Sequence, residues 1–245
     1  MKQISCRVTD NRILWSDVQL ITFNAPELAH AIRPGQFALA RDASTLDPYL
    51  RRTLWLYHVE GDQIAFTLSS GDTLAVRARA GDVLDLLAPL GHPIEFDNNT
   101  RHILLVGEGT QTARLIVIAH TAIARGSEIV LVSKPSSIDD DFPVQLLSPA
   151  IEYRASETID TELILWADTL VASGSTEFYR ALADSIRAVH YRLEPGLARV
   201  LVDLPMPCGT GACCACAVDT ARGVKFACVD GPAFDLVEFE TRTRR

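Results

Sequence analysis

Along its first hundred residues the chain alternates short apolar-rich stretches with turn-forming clusters. Residues 4–8, 36–40, 54–59 and 63–68 are β-rich, and several alternate in polarity, the period-two mark of strands with one buried face. Arg33-Pro34-Gly35, Glu60-Gly61-Asp62 and residues 69–72 separate them as turns, and Gly61-Asp62 between two such runs predicts a hairpin. Residues 73–80 read as a short helix or strand. Residues 83–88 follow Gly81-Asp82, and Pro89-Leu90-Gly91 closes the segment. Short strands with little room for helices predict a small antiparallel barrel.

The pattern changes near residues 97–100. Residues 103–106 form a continuous apolar run, as expected of a strand buried on both faces of a parallel sheet. Gly107-Glu108-Gly109 follows, then a helix-like stretch over 112–124 and a second buried strand over 128–132. A loop rich in Pro, Ser and Asp spans 134–141, with Asp139-Asp140-Asp141 read as a solvated surface run. Residues 144–148 predict a short helix, 152–154 and 163–166 further strands, 178–189 a helix and 198–204 a last strand. Strand–helix alternation of this kind predicts an α/β sheet. From Pro205 onward cysteine dominates, and residues 241–245 read as a frayed basic end. The expected architecture is therefore multidomain, α+β and α/β: a barrel over 1–98, an α/β domain with a parallel sheet over 99–204 and a small module over 205–245.

Charge narrows the partners. With 23 Lys and Arg against 31 Asp and Glu the net charge is −8, and there is no basic stripe for nucleic acid. No uninterrupted apolar run, residues 115–119 among them, approaches the roughly 20 residues of a membrane span. MKQISCRVTD lacks the apolar core of a signal peptide, so a cytoplasmic protein is expected. No Ser/His/Asp or Cys/His arrangement is legible, and the six histidines (His30, His58, His92, His102, His120, His190) are scattered.

Five of the six cysteines fall between positions 208 and 228. Cys6 stands apart and reads as a small buried hydrophobe. The spacing Cys208-x4-Cys213-x2-Cys216-x11-Cys228 matches the start of a plant-type 2Fe–2S motif with its fourth ligand further on. Gly209 and Gly211 permit turns that bring backbone N–H groups to anionic sulfur, and Thr210, Ala212 and Ala215 leave room. Four thiolates also suit structural zinc, although zinc ribbons usually pair two C-x2-C units and a second is absent here. Cys214 is read as a packed non-ligand.

The block at 208–235, CGTGACCACAVDTARGVKFACVDGPAFD, resembles the cluster-binding tail of the electron-transfer subunit of dihydroorotate dehydrogenase. That tail ends in Cys-x-Asp-Gly-Pro-x-Phe, present here from Cys228 to Phe234. The resemblance extends over the chain and implies a ferredoxin reductase-like protein, with an FAD barrel, a nucleotide domain and a 2Fe–2S module held by Cys208, Cys213, Cys216 and Cys228. Arg51-Arg52-Thr53-Leu54-Trp55-Leu56 lies where relatives carry Arg-Arg-Pro-Ile-Ser-Ile. By that likeness Arg52 meets the flavin pyrophosphate, a task suited to a permanently charged planar fork, and Thr53, Leu54 and Trp55 complete the first FAD segment. Trp55 replaces a serine, and an indole there offers stacking in place of a hydroxyl. Thr67, Leu68 and Ser69 match a second segment. Asp72 and Thr73 match the diphosphate turn, with Asp72 where glycine is usual. Residues 87–91 match the turn that closes the barrel.

Relatives follow the first buried strand with Gly-Gly-Gly-x-Gly-x-Ala-Pro, whose glycines admit a dinucleotide to the helix N-terminus. Here Gly107 and Gly109 survive, while Glu108 and Gln111 add bulk and charge. A Cys-Gly-Pro near the nicotinamide appears as Ser173-Gly174-Ser175. The resemblance thus implies an NAD site in altered form. It further implies an FMN-containing catalytic subunit as partner in a heterotetramer, with electrons running from dihydroorotate through FMN, cluster and FAD to NAD in pyrimidine biosynthesis. The alternative is an FAD/2Fe–2S electron-transfer subunit of another oxidoreductase whose NAD site is lost or altered.

Overall fold

The computed structural model describes residues 1–45, 48–135 and 142–239. The chain divides into two compact units. One comprises Met1–Ile94, Asp203–Ala217 and Phe226–Pro232; the other comprises Glu95–Val202, Val218–Lys225 and the tail from Ala233.

In the first unit β1 (Lys2–Trp15), β2 (Val18–Asn24), β3 (Phe37–Asp42), β4 (Arg52–Glu60), β5 (Gln63–Ser69) and β6 (Val83–Leu90) close into a barrel. The order is β1-β2-β5-β4-β3-β6, and each neighbouring pair is antiparallel. β1 closes it: the N-terminal half pairs with β6 and the C-terminal half with β2, with register breaks between Val8 and Asp10 and between Ile13 and Trp15. Such bulges let one strand turn a barrel corner. Inside, Ile21, Phe23, Leu54, Ile64, Phe66 and Leu86 are fully buried, and Phe37 and Leu39 are buried on the opposite face of β3. Each contributes about 1.5–3 kcal/mol through the apolar surface it hides. Cys6 is buried, as its isolation predicts.

Two short helices, α1 (Pro26–Ala31) and α2 (Thr73–Arg77), interrupt the strands. At α2 the choice between helix and strand is settled by Asp72, whose Oδ1 accepts the Leu74 N–H at 2.8 Å. An acceptor there satisfies a donor that the first helical turn leaves open.

The second unit is built on β7 (His102–Glu108), β8 (Glu128–Lys134), β9 (Ile151–Ala155), β10 (Thr169–Ser173) and β11 (Ala198–Leu201), which run parallel. A 3-10 helix over Gly109–Leu115 leads into α3 (Ile116–Ala124), and α4 (Thr161–Trp166) and α5 (Thr176–His190) follow β9 and β10. The tail adds the hairpin β12 (Ala217–Thr220) and β13 (Gly223–Phe226), then β14 (Ala233–Asp235) and α6 (Leu236–Phe239). β14 joins antiparallel to β11, giving the order β14-β11-β10-β7-β8-β9.

Two sequence readings change. Residues 163–166 are not a strand but most of α4, because Asp160 caps that turn and Leu165 is exposed, whereas a central strand buries both faces. The strand of this region is β10, all five of whose residues are buried. Residues 144–148 form only a 3-10 turn over Val144–Leu146. The acidic run Asp139-Asp140-Asp141 and residues 241–245 lie outside the described residues.

Candidate functional site

The four cysteines of the spacing motif lie in the first unit, on loops flanking the β12–β13 hairpin. They fall into two pairs. Cys213 Sγ donates to Cys208 Sγ at 3.2 Å, and the Cys216 and Cys228 thiols neighbour one another. Among the described residues, no group of three or more His, Cys, Asp or Glu is placed to hold one metal ion. Four thiols gathered on one loop system suit a cluster of two irons, each iron taking two thiolates.

Backbone donors face the sulfurs. The Thr210 N–H points to Cys208 Sγ at 3.5 Å, and the Gly211 N–H to Cys228 Sγ at 3.3 Å. Both glycines of the loop take the left-handed conformation, with φ of +68° at Gly209 and +78° at Gly211. Burial acts to raise the Cys208 thiol, but the donors from Thr210 and Cys213 outweigh it and hold it at about 6. Cys228 is pushed up to about 12 by burial and by the neighbouring Cys216 thiol, against the opposing Gly211 N–H. Cys214 corrects one reading: its side chain is exposed rather than packed, at φ +56°.

The loop is seated on the barrel. A Cβ at Gly209 would lie 2.9 Å from Leu39 Cδ1 and 3.0 Å from Leu90 Cδ1. Leu39 pairs in register with Thr53, so β3 alone separates the loop from the first flavin segment. Within that segment Leu54 and Trp55 are buried, and Trp55 stacks at a tilt on Phe37 with ring centres 5.9 Å apart. Thr67 faces Trp55 across β4 and β5; it and Leu68 are buried, while Ser69 donates to Asp17 Oδ2 at 2.7 Å. Thr73 opens α2.

The paired arginines are spent differently. Arg51 donates to the Asp85 carboxylate at 2.7 Å and to its carbonyl at 2.8 Å, a buried structural bond. Arg52 Nε is buried and lies 3.4 Å from Asp72 Oδ2, an ion pair too poorly aligned to count as a hydrogen bond. A buried guanidinium N–H lacking an aligned acceptor, on a side chain still partly exposed, fits a phosphate oxygen. The barrel therefore meets the requirement of an FAD diphosphate at Arg52, with the Asp72 carboxylate as a competing anion.

In the second unit Gly107 ends β7, and a Cβ there would meet Thr112 Oγ1 at 2.2 Å, so the turn admits only glycine. Gly109 has φ +51°. Glu108, between them, accepts the Ser175 N–H at 2.8 Å and lies 4.0 Å from Lys134 Nζ. Ser175 caps α5 through its own Oγ, which accepts the Phe178 N–H at 3.2 Å. Sequence reasoning missed Lys134 and the Ser175 amide, because both reach Glu108 only across the sheet.

Residues 205–240 match the family described as the iron–sulfur cluster binding domain of dihydroorotate dehydrogenase B. The chain is 28% identical, over 93% of its length and 94% of the relative's, to the electron transfer subunit of dihydroorotate dehydrogenase B (NAD(+)) of Geobacillus kaustophilus (strain HTA426). The same subunit of Bacillus mycoides (strain KBAB4) is 27% identical over 84% of this chain and 86% of its own. Among solved structures, one of an NADH-dependent reduced ferredoxin-NADP oxidoreductase superposes with a TM-score of 0.77 at 24% identity, covering 96% of this chain and 89% of that one. Among the described residues no helix is long and apolar enough to cross a membrane. Residues 205–240 thus match the iron–sulfur cluster binding domain of dihydroorotate dehydrogenase B, and along most of its length the chain is similar to that enzyme's electron transfer subunits, on a fold like that of the oxidoreductase structure.

Proposed function

We propose that the chain is an electron-transfer subunit that passes electrons between a catalytic dihydroorotate dehydrogenase subunit carrying FMN and NAD, in pyrimidine biosynthesis, within a cytoplasmic heterotetramer. When bound, FAD exchanges electrons in pairs and a 2Fe–2S cluster passes them singly; the protein positions both groups and tunes their potentials. Cys208 and Cys213 hold one iron, and Cys216 and Cys228 the other. The N–H groups of Thr210 and Gly211 stabilise anionic sulfur. Arg52 holds the flavin diphosphate, the Thr53–Trp55 backbone and the Thr67–Ser69 strand line the ring, and Asp72 and Thr73 form the diphosphate turn. The observation that carries this reading is the seating of the cysteine loop, at Gly209, against Leu39, the register partner of Thr53.

Glu108 favours a second reading for one end of the chain of transfers. Its carboxylate stands between Gly107 and Gly109, at the turn where relatives admit a dinucleotide, so the acceptor is then something other than NAD.

The test is anaerobic purification followed by titration with NADH and then dithionite, monitored in the visible, with electron paramagnetic resonance of the reduced protein. Flavin and cluster bands and a reduced 2Fe–2S resonance are expected. They should disappear selectively in Arg52→Ala for flavin and Cys213→Ser for the cluster. Bleaching by NADH supports the NAD reading; bleaching by dithionite alone supports the second. A colourless protein holding zinc overturns both.

A further inference from the structure

In an open parallel sheet, ligands enter the crevice beyond the carboxyl ends of the strands where the strand order reverses. Here the chain proceeds from β7 outward to β8 and β9 and then returns to β10 on the other side of β7, so the reversal lies between β7 and β10. Their carboxyl ends are Gly107-Glu108 and Ser173-Gly174, and Ser173 pairs in register with Gly107.

That crevice is spanned from within. Glu108 leaves the end of β7 and its Oε2 accepts the Ser175 N–H at 2.8 Å, at the N-terminus of the 15-residue helix α5. The helix dipole and its open N–H groups make this position favourable for an anion. Lys134, at the end of β8, stands 4.0 Å from the other carboxylate oxygen. The fit around the side chain is close: a Cβ added to Gly174 would lie 3.0 Å from the Glu108 Cβ and 2.4 Å from Phe178 Cδ1. Tyr179 pins the same backbone, its hydroxyl accepting the Gly174 N–H at 2.8 Å. Ser173 Oγ, at the end of β10, is buried with no hydrogen-bond partner.

We infer that Glu108 is an internal competitor for the dinucleotide diphosphate: a tethered carboxylate that holds the cation and the helix amide a phosphate would use, and so sets how weakly this unit binds a dinucleotide. An incoming diphosphate must displace the carboxylate from Ser175 and Lys134 and meets its charge at close range. In Glu108→Ala both the room and the two donors become available. In Glu108→Gln the charge is gone while a hydrogen bond to Ser175 persists. The inference concerns affinity alone, so it is separable from whether the barrel and the cluster loop carry their cofactors.

The test measures binding of ADP-ribose, a redox-inactive dinucleotide fragment, by calorimetry to the purified full-length protein. Visible absorbance before each titration records cofactor content separately. Wild type is expected to bind with a Kd above about 1 mM, and Glu108→Ala to bind at least about tenfold tighter. Glu108→Gln should fall between them, and the gain should shrink with added salt and be lost in the double variant Glu108→Ala, Lys134→Ala. Equal or tighter binding by wild type overturns the inference. So does an absence of binding in all variants, since the carboxylate is then not what closes the crevice.

Discussion

Gly91 is the point where the barrel meets the end of the cluster-bearing tail, and replacing it by alanine should loosen that junction. Its φ is +75°, a conformation that costs an alanine about 1–2 kcal/mol. The added methyl would lie 2.5 Å from Pro232 Cδ, 2.8 Å from the Gly231 carbonyl oxygen and 3.1 Å from Phe37 Cε1. The carbonyl is not free to swing aside, because it accepts the His92 N–H at 2.6 Å. Overpacking of this kind costs a further 1–3 kcal/mol or so, giving about 3 kcal/mol in all. For a chain of this size that lowers the melting temperature by about 6–12 °C. Gly209→Ala is the internal comparison. It carries the same backbone cost at φ +68°, but the methyl meets the side-chain ends of Leu39, Leu90 and Leu87, which can rotate, so a loss of about 1–2 kcal/mol is expected. The assay is thermal melting of the cofactor-loaded protein, with the rate of cluster bleaching followed in parallel. If Gly91→Ala melts within about 2 °C of wild type, or Gly209→Ala is the more damaging of the two, the junction does not work as described.

Asp72→Asn keeps an acceptor for the Leu74 N–H but removes the charge beside Arg52; FAD should dissociate about threefold less readily, as flavin fluorescence on dilution would record, and weaker retention would refute the competition. Ser173→Ala removes a buried hydroxyl without a partner and should stabilise by about 1 kcal/mol, raising the melting temperature by about 2–4 °C. A lower melting temperature would mean that the hydroxyl is satisfied. In cluster-free protein, iodoacetamide should label Cys208 with a rate that rises as pH increases through about 6, while Cys228, pushed up to about 12, stays protonated and resists. Peptide mapping by mass spectrometry reads both, and equal labelling at neutral pH would contradict the two environments.

What was legible in the sequence follows the range of each interaction. β7 could be read because a strand covered on both faces must be apolar at every position from Ile103 to Val106. The cysteine loop could be read because its cysteines and glycines sit within one short stretch of fixed spacing. β2 and β10 could not. β10 is short and comes just after Leu163-Ile164-Leu165-Trp166, whose apolar run imitates a strand until the cap at Asp160 is known. Arg52 and Asp72 were each noticed, but not that they face one another. Glu108 was seen as a departure, yet its effect depends on an amide 67 positions away and a lysine on the next strand, contacts that only the strand order creates.

The pairing of β1 with β6 bears on how the molecule is made. Lys2 is paired with Ala88, so the N-terminal strand emerges from the ribosome long before its second neighbour exists. The barrel therefore closes only when residues near 90 have left the exit tunnel. The Gly231 carbonyl that meets His92 arrives about 140 residues later, on the order of 10 s at typical rates of synthesis. Throughout that interval the barrel is complete and the cysteines downstream are still being added. The cysteine loop thus meets a barrel whose strands have all been made well before it.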